Sequence, residues 1–309
     1  MDKKNRITEI CRRLTVSRGA CTNEKELLLT IRKELCDDVE TYFDGMGNLI
    51  AVRKSQTALK KLVIAVSVDC PCLIATHIDN DGKIRVQKLG TTDVGAWRNG
   101  KVVFENGAKG VVRAIDHSEK PESFDGIYID IGADDKQGAL KIVSQGETVL
   151  PDRNSTGAIK ISPEGEICGY GAAAIFKAAL AVDLANTLSV PETDVYVAFC
   201  VQGQLNSRGM EAVLSGVRPE IAVCIDVCAD IECSTVAVRE KSGIYSESVT
   251  EELCQRLGVP EKAALKAFDE GVDCGLILRS GALGGKVYLP AKGIGTVNES
   301  VLLADWVDG

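Results

Sequence analysis

Two histidines, His77 and His117, are the only imidazoles among the 309 residues, and they limit the chemistry open to the chain. Histidine is the commonest metal ligand and a frequent general base, so two histidines leave few ways to build a catalytic site. His77 and Asp79 form a His-x-Asp spacing that could supply a metal ligand, but Asn80-Asp81-Gly82 follows as a hairpin-type turn. His117 lies in a polar run. We interpret both as structural residues, with a site built on His77 as the alternative.

Cysteine is the other metal-binding type in quantity, with twelve residues. Most of them lie among apolar neighbours, as Cys200 and Cys224 do, where a free thiol behaves as a small hydrophobe. Cys70 and Cys72 form the closest pair, and no second pair stands at zinc-ribbon spacing. Buried thiols are therefore the interpretation. A structural zinc ion and a nucleophilic Cys70 remain alternatives, although no base is visible near Cys70.

Other catalytic motifs are weak. The chain has no Gly-x-Ser-x-Gly elbow, and its shortage of histidine disfavours a Ser-His-acid triad. The stretch 280–286 has the texture of a phosphate-binding loop, but it lacks the first glycine, and Val287 stands where a hydroxyl would hold magnesium. We predict a tight turn before a strand there.

Hydrophobic periodicity predicts an α/β arrangement that must position any site. The predicted helices are 24–36 (capped by Asn23), 171–188, 207–215 and 246–257, and the predicted buried strands are 61–69, 194–202, 220–226 and 286–290. Between about 71 and 163 the pattern changes to short alternating runs separated by hairpin-type turns, which indicates a compact β domain with little helix. An α/β domain interrupted by a β domain is the economical interpretation.

Composition excludes several classes of partner. Apolar residues make up 45% and charged residues 26%, and the formal net charge of −8 is spread along the chain. No basic cluster suits a nucleic acid, and no apolar run is long enough to span a bilayer. Residues 1–6 do not resemble the start of a signal peptide, so we expect a cytoplasmic protein.

Eight phrases follow one another along the chain: Val66-Ser67-Val68-Asp69, 78–85, 127–133, Ser144-Gln145-Gly146-Glu147, 199–209, Cys224-Ile225-Asp226-Val227, 271–275 and 290–299. Their order resembles that of the glutamyl-aminopeptidase or TET family, whose members are dinuclear zinc or cobalt aminopeptidases. The resemblance implies a mixed sheet flanked by helices, of the aminopeptidase/phosphorylase-hydrolase type, with an inserted β-barrel-like domain. It implies a discontinuous α/β domain over 1–70 and 160–309, and an insert over 71–159 used for oligomerisation.

The same resemblance assigns the positions of the catalytic site. At most of them this chain lacks the metal-binding or basic side chain of the family. Ser67 stands at the first histidine ligand and Gly295 at the last, Gly169 is the nearest match to the bridging aspartate, Gly203 replaces the general-base glutamate, and Gln204 replaces the adjacent glutamate ligand.

Two acids of that site remain. Asp226 is the one retained ligand. Asp69 corresponds to a residue that orients the first histidine, and without an imidazole at 67 it would have nothing to orient. The three glycines, which delete side chains, could open a neutral pocket.

We therefore expect a family member that lacks metal-dependent peptidase activity, with no cofactor, acting as a binding or assembly protein that uses the old cleft. Self-association from dimer to dodecamer and a peptide or small-molecule ligand are the expected partners. The alternative is an active metallo-aminopeptidase with rewired zinc or cobalt ligands, or another reaction at the same cleft. A third possibility is a structural subunit that joins active homologues in a mixed shell.

Overall fold

The computed structural model describes residues 2–17, 19–115, 123–155, 158–257 and 265–302. Its helices are α1 (Lys3–Leu14), α2 (Lys25–Glu34), α3 (Lys136–Leu140), α4 (Ala172–Thr187), α5 (Arg208–Val217), α6 (Glu247–Arg256) and α7 (Asp273–Ser280). Its strands are β1 (Glu40–Phe43), β2 (Leu49–Arg53), β3 (Lys60–Ser67), β4 (Cys72–Ile78), β5 (Ile84–Leu89), β6 (Lys101–Phe104), β7 (Lys109–Ala114), β8 (Ile127–Asp130), β9 (Thr148–Pro151), β10 (Lys160–Ile161), β11 (Glu166–Cys168), β12 (Thr193–Cys200), β13 (Ile221–Cys228), β14 (Thr235–Glu240), β15 (Gly243–Ile244), β16 (Leu265–Ala267), β17 (Leu283–Pro290) and β18 (Ser300–Leu302).

One mixed sheet of nine strands forms the centre of the α/β part. Its order is β1-β2-β12-β3-β13-β17-β14-β15, with β16 paired to β14. The neighbours β12, β3, β13 and β17 are parallel, and their nearly continuous apolar runs suit strands covered on both faces. The strands β2 and β14 flank them in antiparallel pairing. The predicted mixed sheet is confirmed.

Helices cover both faces of this sheet. The helices α1, α2 and α4 pack on one face, where they meet side chains such as Val66 and Phe199. The helices α5 and α7 pack on the other face, against the alternate residues such as Ala65 and Ala198. The helix α4 is buried almost all round, as its alanine-rich sequence favours. It nevertheless carries one cation, Lys177.

The inserted segment forms a closed barrel of six strands in the order β4-β5-β8-β7-β6-β9. Trp97 and Phe104 are among its fully buried side chains. The predicted barrel is confirmed, whereas the domain limits and the use of the barrel in oligomerisation stay predictions. Among the described residues, no helix has both the length and the apolar character to cross a membrane.

Two details differ from the sequence prediction. The helix α2 begins after Glu24, not Asn23, and the Glu24 carboxylate does not cap it but accepts the backbone N–H groups of Thr22 and Gln202 at 2.9 Å. The sheet also continues into β14 and β15, which the charged run around Glu240 concealed. His117 lies outside the described residues.

Candidate functional site

The assigned positions meet at one edge of the sheet. The register pairs Ser67 with Cys200 and Val66 with Ile225, so the carboxyl ends of β12, β3 and β13 lie side by side. Ser67, Asp226 and the loop after β12, which the resemblance assigns to one site, therefore lie close together. In open α/β sheets this edge is where ligands bind.

The side chain of Ser67 fills the space in front of Gly203. A Cβ atom added at Gly203 would overlap Cβ and Oγ of Ser67 and would lie 2.8 Å from Oδ1 of Asp69. The position that the resemblance assigns to the general base thus has no room for a side chain. The expected neutral pocket is absent at this glycine, since Ser67 occupies the volume.

Asp69 has a partner that the sequence analysis did not foresee. Its buried carboxylate accepts the backbone N–H of Gly203 at 2.8 Å through Oδ1 and that of Gln204 at 2.9 Å through Oδ2. Burial raises the pKa of Asp69 above its usual range, although these hydrogen bonds act in the opposite direction. The expectation that Asp69 has nothing to orient is wrong, because it holds the loop after β12.

That loop is strained and pinned from several sides. Gln202, Asn206 and Ser207 have φ angles of 53°, 58° and 55°, in the left-handed region that costs non-glycine residues roughly 1–2 kcal/mol each. Glu24 accepts the N–H of Gln202, and the Ser207 hydroxyl donates to Asp273 at 2.6 Å. These contacts fix the backbone where the general base would stand.

Asp226, the retained ligand, is ion-paired with lysine. Its Oδ1 lies 2.7 Å from Nζ of Lys177, and its Oδ2 lies 3.5 Å from Nζ of Lys286. Burial raises the pKa of Asp226, but the charges of the two ammonium groups outweigh it and bring this pKa well below the usual range. Both carboxylate oxygens therefore face cations supplied by the chain itself.

Lys286 is the centre of a buried charge network. Its Nζ lies 2.6 Å from Oδ2 of Asp273 and 2.8 Å from Oε1 of Glu240, which also accepts the Tyr288 hydroxyl at 2.6 Å. Burial lowers the pKa of Lys286, but the surrounding carboxylates prevail and this pKa lies well above its ordinary value. The chain keeps two buried ammonium groups, Lys177 and Lys286, at the edge of the sheet where the resemblance implies metal.

These lysines were missed by the sequence analysis. A signal was nevertheless present, because a lone lysine in an otherwise apolar helix or strand requires a buried acid as partner. Lys286 was predicted as the junction between a tight turn over 280–286 and a strand over 286–290. The turn is confirmed at Gly281, which adopts φ 82°, but Lys286 lies within β17.

The barrel supplies a short strap, residues 90–92, that closes the other side of the cleft. The N–H of Thr91 donates to Oε1 of Gln204 at 3.1 Å, and Thr92 Oγ1 donates to the carbonyl oxygen of Gly295 at 2.8 Å. A Cβ atom at Gly295, whose φ is 75°, would overlap the carbonyl oxygen of Thr91. Gln204 stands at the position of the adjacent glutamate ligand, and Gly295 stands at that of the last histidine. Both residues are therefore in contact with the strap.

Gly169 likewise has no room for a side chain. Its φ is 128°, and an added Cβ would overlap the carbonyl oxygen of Ala158 and lie 2.9 Å from Cα of Ile159. The nearby Glu299 binds the start of α4 through the N–H of Ala173 at 2.6 Å. The three glycines therefore mark tightly packed backbone, and the predicted opening of a neutral pocket is wrong at all three.

The remaining candidates lie elsewhere or are inert. His77 is on β4 of the barrel with 55% of its side chain exposed, and Asp79 binds Arg85 at 2.7 Å. His77 therefore lies on a strand of the barrel and not at the end of a sheet strand, as Ser67 and Asp226 do. Cys70 and Cys72 are buried, and burial raises the pKa of Cys72 to about 12 and that of Cys70 well above its usual value. Neither thiol is poised as a nucleophile.

The residues present do not fit a dinuclear zinc or cobalt centre, which needs several histidine and carboxylate ligands and a bridging carboxylate. Within the described ranges, one group brings three metal-type ligand atoms within 4.8 Å of one another: Cys21, Glu24 and Asp69. Oε1 of Glu24 and both oxygens of Asp69 already accept backbone N–H groups of the pinned loop. Their observed contacts are structural.

Comparison with known proteins agrees with the resemblance. A protein of Acetivibrio thermocellus assigned as an aminopeptidase is 27% identical over 96% of this chain and 94% of its own length. The lysyl aminopeptidase of Pyrococcus furiosus is 26% identical over 66% of this chain and 60% of its own length. These relatives span both the sheet and the barrel.

Solved structures share the fold. Aminopeptidase APDkam598 of Desulfurococcus kamchatkensis superimposes with a TM-score of 0.84 at 19% identity, over 98% of this chain and 92% of its own. The TET1 peptidase of Pyrococcus horikoshii, described as assembling into a tetrahedron or a large octahedral shell, gives 0.82 at 21% identity, over 97% and 96%. The model of the M42 glutamyl aminopeptidases matches residues 47–252, so the chain belongs to the M42 glutamyl aminopeptidase family.

Proposed function

We propose that this chain is a self-assembling member of the M42 family that does not hydrolyse peptides by metal catalysis. One observation carries the proposal. The positions assigned to the bridging aspartate, the general base and the last histidine are Gly169, Gly203 and Gly295, and none of them has space for a side chain. Loss of a general base alone removes a factor of roughly 10² to 10⁴ in rate.

Assembly is favoured over ligand binding as the retained activity. The cavity at the sheet edge, lined by Ser67, Ser207, Asp226 and Asp273, has a volume of about 10 Å³. This is below the roughly 300–1,000 Å³ of typical small-molecule sites. Self-association is supported by the likeness to the shell-forming TET1 peptidase, and we propose the barrel as one contact surface.

The test combines an aminopeptidase assay with light scattering. The purified chain is incubated with zinc or cobalt and assayed on aminoacyl amides with several N-terminal residues, with Asp226→Ala as the control. We expect no metal-dependent turnover and a mass that is a multiple of the single chain. Metal-dependent turnover that Asp226→Ala abolishes would refute the loss of peptidase activity, and a monomer at micromolar concentration would refute the assembly role.

A further inference from the structure

The two buried lysines at the sheet edge carry an inference that deepens the proposed function and rests on it. Nζ of Lys177 and Nζ of Lys286 belong to side chains that are 5% and 2% exposed. A buried ammonium group is costly unless carboxylates and hydrogen bonds compensate it. Such groups are therefore retained only where the surrounding charge requires them or function does.

The surrounding charge comes from three elements of the fold. Asp226 lies near the carboxyl end of β13, Glu240 is the last residue of β14, and Asp273 is the first residue of α7. Lys286 lies within 3.5 Å of an oxygen of each. Without a cation among them, three carboxylates at this spacing would repel one another and separate the elements.

Each of the six carboxylate oxygens has a donor within the chain. Asp226 meets one lysine with each oxygen, and Asp273 receives the Ser207 hydroxyl and Lys286. Glu240 receives Lys286 and the Tyr288 hydroxyl at Oε1, and the backbone N–H of Cys274 at Oε2 at 3.1 Å. The cluster therefore contains its own counter-charges, the ammonium groups of Lys177 and Lys286.

We propose that Lys177 and Lys286 are resident internal cations that take over the charge-compensating role of metal ions at this edge of the sheet. They hold Asp226, Glu240 and Asp273 together and make the fold independent of divalent metal. Asp226, the one retained ligand position, thus keeps cationic partners without the other ligands of the family site.

The test is a double-mutant cycle in chemical unfolding with Lys286→Met, Asp273→Asn and the double variant. We expect coupling of at least about tenfold in the unfolding equilibrium constant. The matched control is Lys83 with Asp81, an exposed pair at the similar distance of 2.8 Å, for which Lys83→Met and Asp81→Asn should couple by less than about fivefold. Coupling no larger than in the control pair would overturn the proposal.

A second pair keeps the test decisive if Lys286→Met does not fold. A second double-mutant cycle uses Lys177→Met, Asp226→Asn and the double variant, with the same expected coupling. These variants should fold because the Asp226 side chain is 36% exposed, so water can solvate it when Lys177 is removed.

The wild-type melting temperature in EDTA and with zinc, cobalt or manganese should differ by less than about 2 °C. A larger shift would mean that metal is the structural cation. Weak coupling in a protein without aminopeptidase activity would refute this inference alone. Metal-dependent hydrolysis of aminoacyl amides would refute the proposed function.

Discussion

Oδ1 of Asp226 lies 2.7 Å from Nζ of Lys177, and the two partners differ in their access to water. The Asp226 side chain is 36% exposed at the mouth of the cleft, whereas that of Lys177 is 5% exposed within α4. When Lys177 is substituted, the remaining carboxylate can reach water, whereas substitution of Asp226 leaves a buried ammonium group. The two substitutions should therefore change the free energy of unfolding by different amounts.

Asp226→Asn should destabilise the fold more than Lys177→Met does. The first leaves a buried ammonium group without its nearest carboxylate and should cost about 2–4 kcal/mol, whereas the second leaves a carboxylate that water can reach and should cost about 1 kcal/mol. Urea unfolding of the two variants measures both. A larger loss for Lys177→Met would contradict the asymmetry.

Gly203→Ala should destabilise the protein by about 1–3 kcal/mol, because its Cβ would overlap Ser67. Adding Ser67→Gly should recover part of the loss. The matched control is Gly216→Ala in α5, where an added Cβ meets nothing within 4 Å and should stabilise by roughly 0.5–1 kcal/mol. Gly203→Ala with wild-type stability would show that the loop adapts, and restoring a glutamate there would become feasible.

Thr92→Val should weaken the strap over the cleft. The hydroxyl donates to the Gly295 carbonyl and accepts Trp97 Nε1–H at 2.9 Å, so its loss leaves the buried indole N–H without this acceptor and should cost about 1–3 kcal/mol. Thr92→Ser keeps the hydroxyl and should cost clearly less. Denaturant unfolding distinguishes the two, and a loss for Thr92→Val no larger than that for Thr92→Ser would contradict the role of the hydroxyl.

Stability should fall as pH rises from about 4.5 to about 7 because of Glu24. Burial raises the pKa of Glu24 to about 7, so the folded state binds its proton more tightly than the unfolded state does. The resulting stabilisation is complete below the unfolded pKa of about 4.5 and is lost by the time pH reaches about 7, with a total on the order of 3 kcal/mol.

Glu24→Gln keeps an oxygen for the N–H groups of Thr22 and Gln202 and should flatten this slope between about pH 4.5 and 7. Glu26→Gln, at an exposed position of the same helix, is the control and should leave the wild-type slope in place. An unchanged slope in Glu24→Gln would assign the pH dependence to another group.

The sequence was sufficient for the mixed sheet and the inserted barrel. Buried apolar runs such as 61–69 and the hairpin turns of the insert predict the parallel strands and the barrel, and the resemblance assigns Ser67, Gly203 and Asp226 to one site. These features depend on local patterns. The ion pairs of Lys177 and Lys286 could not be predicted, because they join residues distant in sequence and depend on register. The closure of Gly203 and Gly295 depends on side chains and backbone that only the folded chain brings together.

The central claim is that this M42 family member no longer holds catalytic metal, and metal content tests it most directly. The purified chain is exposed to excess zinc and then to cobalt, freed of unbound ions, and submitted to elemental analysis beside an Asp226→Ala variant. The account predicts no stoichiometric zinc or cobalt in either protein. One or more tightly held ions per chain that disappear in Asp226→Ala would contradict it.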